Sequence, residues 1–256
     1  MIDSAENGAS LPRTGSMPVA GTPDALGFEP ALGACGLNVA GVLRVDTYDS
    51  LVPDAWQSGA LLPGAASAYV IGSGGSAFYE HARGERPDSP HPLDEVCEAR
   101  VTTVVAQLRE RDVESRALFY WERRGAGEGE FADFVAIAHA AGLGVRSRIG
   151  VLLHREHGPW FAIRAVLLTD RAAPAGSEAP PTPDFCSDCA APCVVACPAG
   201  AVGEVGIDIA RCSDWRHREA QCASRCDARL ACPIGTASRY SSEALAHHMT
   251  AHFRGS

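Results

Sequence analysis

Eight of the chain's ten cysteines fall between Cys186 and Cys232, and only Cys35 and Cys97 lie outside that stretch. A disulfide scaffold does not usually sit as one dense patch at the end of a chain. Thiols crowded into one segment of a 256-residue chain read as metal ligands. Cys35 and Cys97 read as buried or incidental thiols.

The spacing narrows the metal. Cys186, Cys189, Cys193 and Cys197, followed by Pro198, match the bacterial ferredoxin run C-x2-C-x2-C-x3-C-P except for one extra residue between the second and third cysteines. In that run three thiolates cap one cube and the fourth, before proline, points to another. A second, looser run holds Cys212, Cys222, Cys226 and Cys232, the last followed by Pro233. Two Cys-Pro pairs in one short module imply an exchange of ligands. One [4Fe–4S] cluster takes Cys186, Cys189, Cys193 and Cys232; the other takes Cys197, Cys212, Cys222 and Cys226. All eight thiols are then used. Two four-cysteine zinc sites are an alternative, although only Cys186 and Cys189 have the spacing of a zinc knuckle. Disulfides are a third.

Composition excludes other chemistries. All 22 basic residues are arginine, so a Walker phosphate loop, a pyridoxal Schiff base and a strand-lysine kinase are ruled out. A net charge of −9 makes nucleic acid a poor partner. Gly72, Gly74 and Gly75 follow a strand-like run but lack dinucleotide-loop spacing, so they read as a tight turn. No secretory leader or membrane span is recognised, which points to the cytoplasm.

Periodicity supplies the coarse fold. Residues 1–30 read as a disordered or loosely docked arm. Strands are expected at Leu37–Val45, Ala66–Ile71 and Arg116–Trp121. Apolar residues from Leu93 to Leu108 recur at three and four, predicting a helix over about 92–110. Phe131–Ala141 is a second helix, with Glu128 and Glu130 as its first-turn acids or as a general acid. Ile149–Leu153 and Trp160–Leu168 are expected to form a hairpin, with His154 and His157 at a solvated tip. Residues 171–183 are a linker, 184–256 the cysteine module, and Ser241–Phe253 a tail helix with His248 and His252 on its surface. The class is α+β.

Residues 141–170, AGLGVRSRIGVLLHREHGPWFAIRAVLLTD, joined to this cysteine module resemble the epoxyqueuosine reductases and, through them, the reductive dehalogenases and cobalamin-processing decyanases. The matching positions are Ala141–Gly144, Gly158–Phe161 and Leu168–Asp170. The resemblance implies a nitroreductase-like α/β sandwich over residues 31–170, followed by a ferredoxin-like module with two [4Fe–4S] clusters. It implies electrons passing from a ferredoxin- or flavodoxin-type donor to cobalamin. Arg146, Arg148 and Trp160 are candidate residues for that cofactor's pocket, or for a flavin's. The tRNA-binding repeats of those reductases have no match after Gly235. The implied reaction is therefore corrinoid reduction or handling, or reduction of a small substrate. A ferredoxin-like electron carrier without corrinoid is the alternative, and no catalytic acid is identified.

Overall fold

The computed structural model describes residues 26–125, 127–175 and 182–251. Its strands are β1 (Val39–Arg44), β2 (Ser67–Gly74), β3 (Ser115–Phe119), β4 (Val145–Arg146), β5 (Leu152–Leu153) and β6 (Phe161–Thr169). Four of them make an antiparallel sheet in the order β1-β2-β6-β3. Strand β2 is buried along its whole length. Its uncharged run of Ala, Tyr, Val and Ile is what a strand covered on both faces requires. Strands β4 and β5 pair separately, Val145 with Leu153 and Arg146 with Leu152.

Helices α1 (Glu29–Gly33), α2 (Val45–Asp49), α3 (Ser58–Leu61), α4 (Ala77–Glu85), α5 (Pro92–Arg109) and α6 (Phe134–Ala140) accompany the sheet. Strand alternation divides the core in two. On one face Val42, Tyr69, Ile71, Ala165 and Leu167 pack with Phe78 of α4 and Val96, Val101, Val104 and Leu108 of α5. Cys35 and Cys97 belong to this core, and burial pushes the Cys97 thiol up to about 12. On the other face Val39, Leu43, Ala68, Val70, Val166 and Leu168 pack with Phe134 and Ile137 of α6 and with Tyr48 and Trp56. The polar tips of these two aromatics are satisfied. Tyr48 donates to the Trp56 carbonyl at 2.9 Å, and Trp56 Nε1 donates to the Glu130 carbonyl at 3.2 Å.

The cysteine segment adds α7 (Pro192–Ala196), α8 (Ile209–Arg218), α9 (Ala220–Ser224), α10 (Asp227–Leu230) and α11 (Ser242–Ala251). No residue of α8 or α9 is buried; ahead of Tyr240 the segment's own buried residues are small, Ala199, Ala201, Val202 and Ala228 among them. Helix α11 returns to the sheet: Ala244, Leu245 and Tyr240 enclose Trp160.

Several expectations change. The arm does not extend to residue 30, because Leu26 and Phe28 are buried in the first core; residues 1–25 lie outside the described ones. Gly72 and Gly74 continue β2 rather than turning. A Cβ at Gly72 would stand 2.8 Å from the Ala162 carbonyl oxygen, and one at Gly74 would overlap the His157 ring. Both glycines therefore admit close neighbours. Helix α6 starts at Phe134, capped by Asp133, whose carboxylate accepts from the Ala136 amide at 2.9 Å. Glu128 and Glu130 thus precede the first turn. The 149–168 hairpin does not form, because β5 pairs with β4 and only a single His154–Gly158 bridge follows.

Truncating a side chain on the double-faced strand should cost far more than truncating a surface one. Ile71→Ala is expected to lower stability by about 2–5 kcal/mol in denaturant unfolding. Ile209→Ala, at a position 75% exposed, should change it by less than about 0.5 kcal/mol.

Candidate metal centre

Cys186 opens the site on a turn, with its amide donating to the Asp184 carboxylate at 2.9 Å. The extra residue between Cys189 and Cys193 is absorbed by Ala191, which takes a left-handed φ of 53° and starts α7. Its amide donates to Cys189 Sγ at 3.4 Å. Cys197 ends α7 in an extended conformation. Each Cys-Pro is followed by a left-handed glycine three residues after the cysteine, Gly200 at φ 57° and Gly235 at φ 66°. The two halves of the module thus turn in the same way.

Cys186, Cys189, Cys193 and Cys232 line one cleft. Phe185, Pro192, Pro233, Ile149, Leu153 and Ile234 give it mainly apolar walls, and Ser147 and Arg148 complete it. Burial raises the Cys193 and Cys232 thiols, and both also feel the charges of Cys186 and Cys189. The remaining four stand together elsewhere. Burial raises Cys212, Cys222 and Cys226, with Cys197 a charged neighbour of all three. Among the described residues no three His, Cys, Asp or Glu side chains converge on a single metal ion. Four thiols framing an apolar cleft suit a polynuclear group with one thiolate per iron.

The three residues named for a larger cofactor do not frame one pocket. Arg146 is exposed, with its guanidinium 3.9 Å from Asp133. Arg148 lines the cysteine cleft; its Nε donates to the Glu204 carbonyl at 2.9 Å. Trp160 is fully buried, with the Arg229 guanidinium 5.0 Å over its ring. The three side chains thus stand in separate surroundings.

His154 is buried and His157 half-buried. Their turn is clamped beneath the loop that carries Cys232. A side chain at Gly158 would overlap the Ile234 carbonyl, and one at Gly235 would overlap the His157 backbone. His157 Nδ1 lies 2.8 Å from Ser238 Oγ, and Arg229 donates to the Pro159 carbonyl through Nε at 3.0 Å and also through Nη2. His154 Nδ1 accepts from the Glu156 and His157 amides at 3.1 and 3.2 Å. Burial, with the neighbouring His157 and Arg155 charges, pushes His154 down to about 4. Sequence reasoning missed this joint, although Gly158 and Gly235 were both visible. On the tail helix, His248 stacks on Tyr240 with centroids 4.7 Å apart, while His252 lies outside the described residues.

His154 makes stability depend on pH. Its imidazole takes up a proton near pH 6.5 when unfolded but only near 4 when folded. Stability is therefore intact above 6.5 and is lost as the pH falls toward 4, by about 2 kcal/mol at pH 5. In denaturant unfolding at pH 7 and 5, His154→Gln should lack this component of the loss shown by wild type.

No family model and no curated protein matches the sequence. Solved structures do match the fold. An epoxyqueuosine reductase from Bacillus subtilis superposes with a TM-score of 0.57 at 17% identity, covering 84% of this chain and 66% of its own. The Streptococcus thermophilus epoxyqueuosine reductase gives 0.54 at 14%, over 83% and 66%. The C. elegans B12-trafficking protein CblC gives 0.51 at 15%, over 82% and 84%. The chain spans about two thirds of the reductases' length. Its fold is therefore that of these epoxyqueuosine reductases and of CblC.

Proposed function

We propose that this chain is an iron–sulfur oxidoreductase whose eight clustered cysteines hold two [4Fe–4S] clusters in crossed sets. The observation that carries the reading is the cleft shared by Cys186, Cys189, Cys193 and Cys232, residues from both ends of the module. Such clusters supply one-electron storage when bound. The sheet domain is read as a nitroreductase-like sandwich. The chain's own contribution is placement. Phe185, Pro192 and Ile234 keep water from one set of thiols, while α8 and α9 present the other near the surface, where a ferredoxin- or flavodoxin-type donor has access.

The neighbours support a choice of acceptor. CblC is a B12-trafficking protein, so a corrinoid is the acceptor class we assign, either as the molecule reduced or as the agent that reduces a small substrate. A second reading, an electron-transfer protein serving a separate enzyme, is favoured by the complete burial of Trp160.

Anaerobic reconstitution should load about eight irons and a similar amount of sulfide, as two cubanes require. Cys189→Ser and Cys232→Ser should each lose about half the iron and leave the same residual spectrum. Cys197→Ser and Cys222→Ser should share the complementary one. Sequential ligation would instead pair Cys232 with Cys222. For the acceptor, the EPR spectrum of cob(II)alamin should turn base-off on mixing with the loaded protein. An unchanged spectrum with reducible clusters would select the electron-transfer reading.

A further inference from the structure

We infer that Arg148 is the counter-charge of the Cys186/Cys189/Cys193/Cys232 cleft and sets the reduction potential of the cluster held there, an inference that rests on the cluster reading above. Among the described residues Arg148 is the one cationic residue lining the cleft, and none lining it is a carboxylate. Its guanidinium is tethered at one edge, where Nε donates to the Glu204 carbonyl at 2.9 Å. Nη1 is buried and has no hydrogen-bond partner among the described residues. A buried guanidinium N–H is seldom left without an acceptor. Thiolate or sulfide sulfur in the cleft is the acceptor whose chemistry matches.

Reduction adds one electron from an external one-electron donor, converting one ferric iron to ferrous without breaking a bond. The reduced cluster carries one more negative charge than the oxidised one. A fixed positive charge at the wall therefore stabilises the reduced form more, and hydrogen bonds to the sulfurs act in the same direction. The screening is weak because the cleft walls are apolar. Arg146, two residues away, is exposed with Asp133 beside it, and so lacks this leverage.

The test is a potentiometric titration of the full chain, reconstituted anaerobically and read by EPR, for wild type, Arg148→Gln and Arg148→Lys. Arg148→Gln should lower one midpoint, with the reduction equilibrium falling at least tenfold, about 59 mV for one electron. Arg148→Lys should stay near wild type, and the other midpoint should not move. Cys189→Ser, lacking the cleft cluster, should lose the sensitive step. A wild-type midpoint in Arg148→Gln at full iron content overturns the inference. So does equal loss of iron from both Arg148 variants, which would make the residue a packing element. Wild type that binds no iron and sulfide overturns the cluster reading and this inference with it.

Discussion

The contact between two backbone turns holds this molecule together as one functional unit. Gly158, after the His154–His157 turn, lies against Ile234 and Gly235, just after Cys232-Pro233. Neither glycine leaves room for a side chain. The polar contacts around them, His157 with Ser238 and Arg229 with the Pro159 carbonyl, fix the approach from both sides. The cysteine module meets the sheet domain at this joint, at Trp160 with Tyr240, and where Arg148 donates to the Glu204 carbonyl. Ligation by metal would add to the module's own stability, since thiols brought together for one ion or cluster are themselves a fold constraint.

What could be read from the sequence was whatever depended on local period or spacing. Helix α5 shows its stripe of Leu93, Val101, Val104 and Leu108 because one face meets the sheet along its whole length. The two Cys-Pro pairs were visible as a repeat, and the left-handed Gly200 and Gly235 carry that repeat into the backbone. Longer range defeated the reading. His154 and His157 looked like a wet hairpin tip because their cover arrives from Ser238, 81 residues later. Trp160 looked available for a cofactor for the same reason, since Tyr240 and Leu245 enclose it from the far end of the chain. Gly72 and Gly74 looked like a turn, whereas an approaching carbonyl and an imidazole ring explain them.

Strand β6 connects these parts. It begins beside Trp160, at the joint with the cysteine module, and runs between β2 and β3 through the middle of the sheet. Near its start the register shifts: Ile71 faces Ala165 and Gly72 faces Ile163, leaving Arg164 unopposed. That bulge turns Arg164 into the first core, where its guanidinium lies 5.4 Å over the Phe78 ring and Nε donates to Ser73 Oγ at 3.3 Å. A bulge of this kind bends a strand and increases its twist. The end of β6 that meets the module is therefore aimed differently from the rest of the sheet.

The interleaving of the thiols also bears on how the protein is made. Three residues lining the cleft, Cys186, Cys189 and Cys193, are synthesised early in the module, but the fourth, Cys232, follows the entire second set. A nascent chain that has exposed Cys226 already carries Cys197, Cys212 and Cys222, while the cleft still lacks one wall. Closure of that wall also seats Gly235 on the His157 backbone. The last step of assembling the cleft and the docking of the module onto the sheet are thus the same event.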